Sequence, residues 1–224
     1  MRKNTWSKRA VLATMMTGVL GVGVVAHADD KDKMMKQDKQ VGEAAAKREK
    51  YVGKLALFNA KQIALAQLAE KQATDPQVKA FASQLLQDHQ SNQSDLKAWA
   101  QSKQIEIDTV DLSGNQEGVG GSGAQQGYND KMKNVGEKLG KQIDEDRKEI
   151  NELKAKQGKE FDKAFLSRIA DDQKDGRELL NDGRREYKND ATFLALLNKT
   201  ETVVDSHEST AKQLEKQMKG SMMR

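Results

Sequence analysis

The chain has 224 residues, with 38 Lys+Arg against 34 Asp+Glu, one proline, few aromatics and no cysteine. Disulfides, thiolate metal sites and a cysteine nucleophile are therefore excluded, and the fold must hold by packing alone. The formal charge of +4 comes from the first 28 residues, which hold four basic side chains and no acidic one; the rest balances at 34 against 34, so no basic footprint for nucleic acid is present.

Arg2, Lys3, Lys8 and Arg9 precede an apolar run from Ala10 to Val25, and Ala26-His27-Ala28 sets small residues at the two positions a signal peptidase reads. The pattern predicts a secretory signal over residues 1–28 and a periplasmic or secreted protein beginning at Asp29. The run is short for a membrane span and ends in Asp29-Asp30-Lys31-Asp32, so no stable membrane anchor is expected after cleavage. About 196 residues then remain, enough for one domain with a real core. They are rich in Ala, Lys, Gln, Glu and Leu, a composition that favours long helices over sheet.

Residues 29–42 are charged and lack apolar periodicity, which predicts a disordered leader. A helical-bundle domain is expected over residues 43–219. Its first helix, 43–73, carries Leu55, Phe58, Gln62, Leu65 and Ala69 at steps of three and four. Thr74-Asp75-Pro76 then stops and restarts the chain, with Asp75 as a cap and Pro76 at the first helical position. The second helix, 76–103, places Val78, Phe81, Leu85, His89, Leu96 and Trp99 on one face. Its short connection to the first makes the two antiparallel neighbours.

Residues 113–127, with Gly118-Val119-Gly120-Gly121-Ser122-Gly123, read as a flexible linker. A charged helix follows over 130–157. Its narrow stripe (Met132, Leu139, Ile143, Ile150, Leu153) is interrupted by Gly136 and Asp146, which suggests an outer helix dispensable for the core and available to a protein partner or a second copy. Gly158 ends it. The next helix, 159–188, carries Phe161, Phe165, Ile169, Gln173, Leu180 and Tyr187. Asn189-Asp190 marks a turn and cap, and the last helix has the cleanest stripe: Phe193, Leu197, Thr200, Val204, His207, Ala211, Leu214 and Met218. The expected fold is all-α: an up-down bundle of four helices, with the charged helix inserted between the two hairpins.

Near its midpoint each main stripe is broken by a polar residue: Gln62, His89 beside Asp88, Gln173 beside Asp172, and His207. In an up-down bundle the midpoints share one layer, and bundles build metal sites there from Glu and Glu-x-x-His. Leu86 and Val204 stand three residues before His89 and His207, so neither Glu-x-x-His pair exists and a di-iron carboxylate site lacks its ligands. Two readings stay open. Gln62, His89, Gln173 and His207 form a buried hydrogen-bonded layer that fixes register, or His89, His207 and Asp88 hold Fe or Zn. No Ser-His-Asp motif is present, and no strand or Gly-Lys-Ser/Thr accompanies the Gly-rich stretch.

The runs Lys71-Gln72-Ala73, Val78-Lys79-Ala80-Phe81-Ala82 and Leu86-Gln87-Asp88-His89 resemble the first hairpin of a bacterial exported family, domain of unknown function 4142, a ferritin-like helical bundle. Gly158-Lys159-Glu160-Phe161-Asp162-Lys163-Ala164-Phe165 is similar to its Gly-x-x-Phe-Asp-x-x-Tyr signature, and Val204-Asp205-Ser206-His207 to its closing histidine motif. The likeness spans residues 55–218. It implies an acid where Gln62 stands, Tyr at Phe165 and His at Gln173, so the ligand set is depleted here; it implies no defined activity. The resulting expectation is a non-enzymatic exported bundle with an interaction or envelope-stress role and no cofactor. The alternative is a metal-binding (Fe or Zn) ferritin-like bundle or oxidoreductase using His89 and His207.

Overall fold

The computed structural model describes residues 28–105, 107, 112 and 126–220, with side chains from residue 47 in the first helix and from residue 138 in the third. Met1–Lys39 and Gln40–Arg224 are separate compact units. Of the first, only the helical backbone from Ala28 onward is described. Most of the expected signal peptide and of the Gly-rich linker lies outside the described residues.

Among the described residues the chain is all-α, with five helices and no strand: α1 (Ala28–Gln72), α2 (Pro76–Ser102), α3 (Gln126–Lys154), α4 (Gly158–Glu186) and α5 (Ala191–Gly220). None of them is long and apolar enough to cross a membrane. Residues 29–42 belong to α1, which corrects the expected disordered leader. The segment lacks an apolar stripe, yet it is built largely from good helix formers (Lys, Gln, Met) and continues into the Ala-rich run that follows.

The boundaries follow local chemistry. Asp75 accepts a hydrogen bond from the Gln77 N–H at 2.7 Å, and Pro76 occupies the start of α2. At its other end the Ile105 N–H reaches the Ala100 carbonyl and the Gln104 N–H the Gln101 carbonyl. That double bond pattern closes a helix through a left-handed residue, and here Gln104 supplies it at φ 58°. Gly158, at φ 57°, makes the left-handed step with which α4 begins, where a Cβ would be strained. Asp190 caps α5, accepting from Thr192 Oγ1 at 2.7 Å and from the Phe193 N–H at 3.0 Å.

Cross-helix contacts give the directions. Residues 59 and 70 of α1 meet 89 and 83 of α2, and its residues 51 and 62 meet 179 and 173 on α4, so α1 runs antiparallel to both. Residues 177 and 184 of α4 meet 205 and 201 of α5, and 88 and 95 of α2 meet 207 and 199, so α5 runs antiparallel to both of its neighbours. Two glycines on α4 allow the close approach of α1. A Cβ on Gly176 would lie 2.4 Å from the Phe58 ring, and one on Gly183 2.1 Å from the Tyr51 hydroxyl.

The core divides into two apolar clusters. One gathers Leu65, Leu85, Phe161, Phe165, Ile169 and Ala211 toward the α1–α2 turn. The other gathers Leu55, Leu96, Trp99, Leu180, Phe193 and Leu197 toward the α4–α5 turn. The third helix is not an accessory to this core. Ile150 and Leu153 are buried in the first cluster, Asp146 is 2 % exposed, and Leu139 sits 3.1 Å from the Cβ position of Gly53. The expectation that α3 is dispensable is therefore corrected. Its apolar stripe is narrow because part of the buried face is ionic.

Candidate functional site

Between the two clusters lies a layer of buried polar side chains. Gln62, His89 and Gln173 are fully buried and His207 is 2 % exposed. Gln173 Nε2 donates to Gln62 Oε1 at 2.9 Å and meets His89 Nε2 at 3.2 Å, and the His89 and His207 ring centroids are 5.3 Å apart. All four expected midpoint residues are thus brought together. Asp88, half-buried at the edge, meets His207 Nε2 at 2.9 Å.

Three further groups complete the layer. Asn59 Oδ1 meets His89 Nδ1 at 2.9 Å. Asp172 Oδ2 accepts from Gln62 Nε2 at 3.1 Å. Lys61 Nζ is surrounded by carboxylates: Glu149 at 2.7 Å, Asp172 at 3.0 Å and Asp146 at 3.3 Å. Asp146 and Glu149 come from α3 and Asp172 from α4, so one ammonium ties three helices together. Burial alone would lower the Lys61 ammonium, but Asp172, Glu149 and Asp146 outweigh it and raise it well above the ordinary lysine value. Burial pushes the Asp172 and Asp146 carboxyls up, and Lys61 opposes that rise.

The network has one direction. Asp172, ionised beside Lys61, can only accept, so the Gln62 amide must turn its NH2 toward it. Gln62 Oε1 then faces Gln173, whose NH2 serves both Gln62 and His89 Nε2. His89 Nε2 is therefore the acceptor, and Nδ1 carries the proton it donates to Asn59. Protonating His89 would break the Gln173 contact. Burial, followed by the neighbouring His207, holds its pKa well below the ordinary imidazole value.

At His207, burial lowers the pKa although Asp88 opposes the shift, and Asp88 Oδ2 accepts from Nε2. His207 Nδ1 and Gln173 Oε1 remain buried without a hydrogen-bond partner.

Among the described residues no group of three or more His, Cys, Asp or Glu side chains is arranged to hold a metal ion. The carboxylates around Lys61 enclose an ammonium, and His89 spends both nitrogens inside the chain. The ligand set of a ferritin-like di-iron centre does not fit these residues. The sequence also gave little notice of Asp162. It is fully buried and accepts from the Thr74 N–H at 3.0 Å, Thr74 Oγ1 at 2.6 Å and the Asp75 N–H at 3.0 Å. The Phe-Asp pair of the signature run is thus structural: Phe161 fills the core, and Asp162 fastens the α1–α2 turn to α4.

A family model, Domain of unknown function (DUF4142), matches residues 33–214, and the chain belongs to that family. No curated protein and no solved structure matches the chain.

Proposed function

We propose that this member of the family is a non-enzymatic exported protein with an interaction or envelope-stress role. In this reading α1, α2, α4 and α5 form a ferritin-like up-down frame, α3 is an added helix along the α1–α4 groove, and the polar layer sets register instead of performing chemistry. One observation carries the reading: His89, at the centre of the layer, is hydrogen-bonded at both nitrogens by Asn59 and Gln173. A ligand or general base needs a free lone pair, and this imidazole offers one only by breaking the network. Export follows from the positive start, apolar run and Ala26-His27-Ala28 site, and N-terminal sequencing of the exported protein should return Asp29.

A second reading, metal binding at His89, His207 and Asp88, is favoured by the partnerless His207 Nδ1 and Gln173 Oε1. With the metal on Nδ1, Asp88 on the far nitrogen of His207 would support that ligand from the outer shell and would have to turn to bind the metal itself. Elemental analysis combined with His89→Gln/His207→Gln separates the two. The register role predicts no stoichiometric metal, a melting temperature indifferent to added Fe or Zn, and preserved helicity in the double variant. Near-stoichiometric Fe or Zn, or a metal-dependent rise in melting temperature that the double variant abolishes, overturns it.

A further inference from the structure

Between α1, α3 and α4 the surface opens into a cavity of about 550 Å3, within the size range of small-ligand sites. Leu57, Phe58, Leu139 and Leu179 line it with apolar surface, and Lys61, Asp146 and Asp172 contribute its buried ionic part. These ions satisfy one another and offer little to a hydrophilic ligand body. The remaining cations are Lys50, Lys54 and Lys138. Lys54 and Lys138 are exposed, and none of the three has an ion-pair partner among the described residues. Asp175 is the one exposed acid on the lining, so the uncommitted charge of the mouth is positive.

Two details shape the wall. Lys50, Lys54, Leu57 and Lys61 step by four, three and four along α1, which puts the charged mouth and the apolar wall on one helix face. Gly176 leaves room for the Phe58 ring to lie against α4, so the wall is held by packing. A second recess of about 340 Å3 shares Lys50 and Lys54 and reaches Tyr187, whose hydroxyl is buried without a partner. The two lysines therefore stand where the recesses join.

We propose that this cavity binds a single-chain anionic amphiphile, its apolar chain against Leu57, Phe58, Leu139 and Leu179 and its carboxylate or phosphate head between Lys50, Lys54 and Lys138. Lysine ammonium groups act as point charges and accept either head. The apolar wall supplies the affinity and the mouth supplies selection for charge. The site adjoins the polar layer through Lys61 and Asp172, which line it, but its proposed contacts include neither His89 nor His207 and do not depend on the role assigned to them.

Calorimetric titration of the purified protein with laurate and with dodecyl phosphate, each below its micelle-forming concentration, tests this. At least one anion should bind saturably, and the tighter of the two identifies the head group. Dodecanol, which lacks the charge, should bind about tenfold more weakly, and Lys54→Glu/Lys138→Glu should weaken the anion by about tenfold, as expected for two reversed surface charges. Leu179→Trp, which fills the cavity, should abolish binding. If that variant fails to fold, the charge-reversal variant decides, because both of its positions are exposed. Saturable binding of neither anion, or an affinity unchanged by the charge reversal, overturns the proposal.

Discussion

Replacing Lys61 by Met keeps the aliphatic stem and deletes the ammonium, leaving Asp146, Glu149 and Asp172 facing one another. The side chains of Lys61, Asp146 and Asp172 are only 12 %, 3 % and 6 % exposed, so this is a buried ion cluster, and removing one partner of such a cluster costs about 3–5 kcal/mol. Glu149 adds little to that figure, since it is 31 % exposed and keeps Arg168 at 3.1 Å. With a urea m-value of about 2 kcal/mol/M, the unfolding midpoint should fall by roughly 1.5–2.5 M at neutral pH. The loss must also depend on pH. In the variant the burial that raises Asp146 and Asp172 loses its main opposition, with Gln142 still lowering Asp146 and Gln62 and Arg168 still lowering Asp172, so their folded pKa values lie further above the unfolded ones. A carboxyl raised in the folded state destabilises at neutral pH, and the penalty shrinks as pH falls through the raised range. Urea melts of both proteins at neutral pH and at about pH 4.5, near the ordinary carboxylate range, should show the gap narrowing on acidification. A gap below about 1 kcal/mol at neutral pH, smaller than any buried-pair loss, or one that does not change with pH, would refute the ionic bridge between α1, α3 and α4.

Asp162→Ala removes the acceptor of three hydrogen bonds from Thr74 and Asp75 and should cost about 4.5 kcal/mol or more in urea unfolding, at roughly 1.5–3 kcal/mol per hydrogen bond to a charged group; Asp162→Asn should cost less. Gln104→Gly relieves the left-handed backbone at φ 58° and should stabilise by about 1 kcal/mol, read as a higher melting temperature. Leu197→Ala empties a fully buried position and should destabilise by about 2–5 kcal/mol, so an unchanged melting curve would mean that α5 is not packed as described. Replacing residues 113–157 with a short Gly/Ser linker strips Ile150, Leu153 and two partners of Lys61; the result should be a loss on the order of 5 kcal/mol or more, and a cooperative melt like that of the intact chain would make α3 an accessory after all.

Much of the helical frame was legible because burial at steps of three and four is a local signal. The stripes of α2, α4 and α5 are buried almost as read, and Asp75-Pro76 and Asp190 cap where their chemistry says they should. The polar layer was legible for the same reason, since a polar residue inside an apolar stripe has nowhere to point but inward. Lys61 was not. It sits one step off the stripe, on the side of α1 that meets both α3 and α4, and a lysine facing solvent and a lysine facing three carboxylates look alike along the chain. Asp146 was visible only as an interruption of a charged helix, because its partner is 85 residues away. Asn59 could have been found: it lies three residues before Gln62 and on the same face. Asp162 gave almost no warning, since its partners sit in the α1–α2 turn.

The departures from the family pattern make most sense taken together. The resemblance implies an acid at position 62 and an imidazole at position 173, a pair that could share a charge. This chain has Gln at both, joined by a hydrogen bond of 2.9 Å. An acid at position 62 would face Asp172, which stands 3.1 Å from the present amide nitrogen, and two buried carboxylates in contact repel unless one takes up a proton. Gln avoids that conflict because one end donates to Asp172 and the other accepts from position 173. With Gln also at 173, the second amide passes the same polarity to His89. Phe165 fits this pattern: it is fully buried with Phe81 and Phe161 on either side at 6.2 Å, where a tyrosine hydroxyl would need a partner of its own. Charge is thereby confined to the Lys61 side of the layer. Gln173 and His89 carry none of it, and each amide is oriented by the one before it, starting from Asp172 beside Lys61.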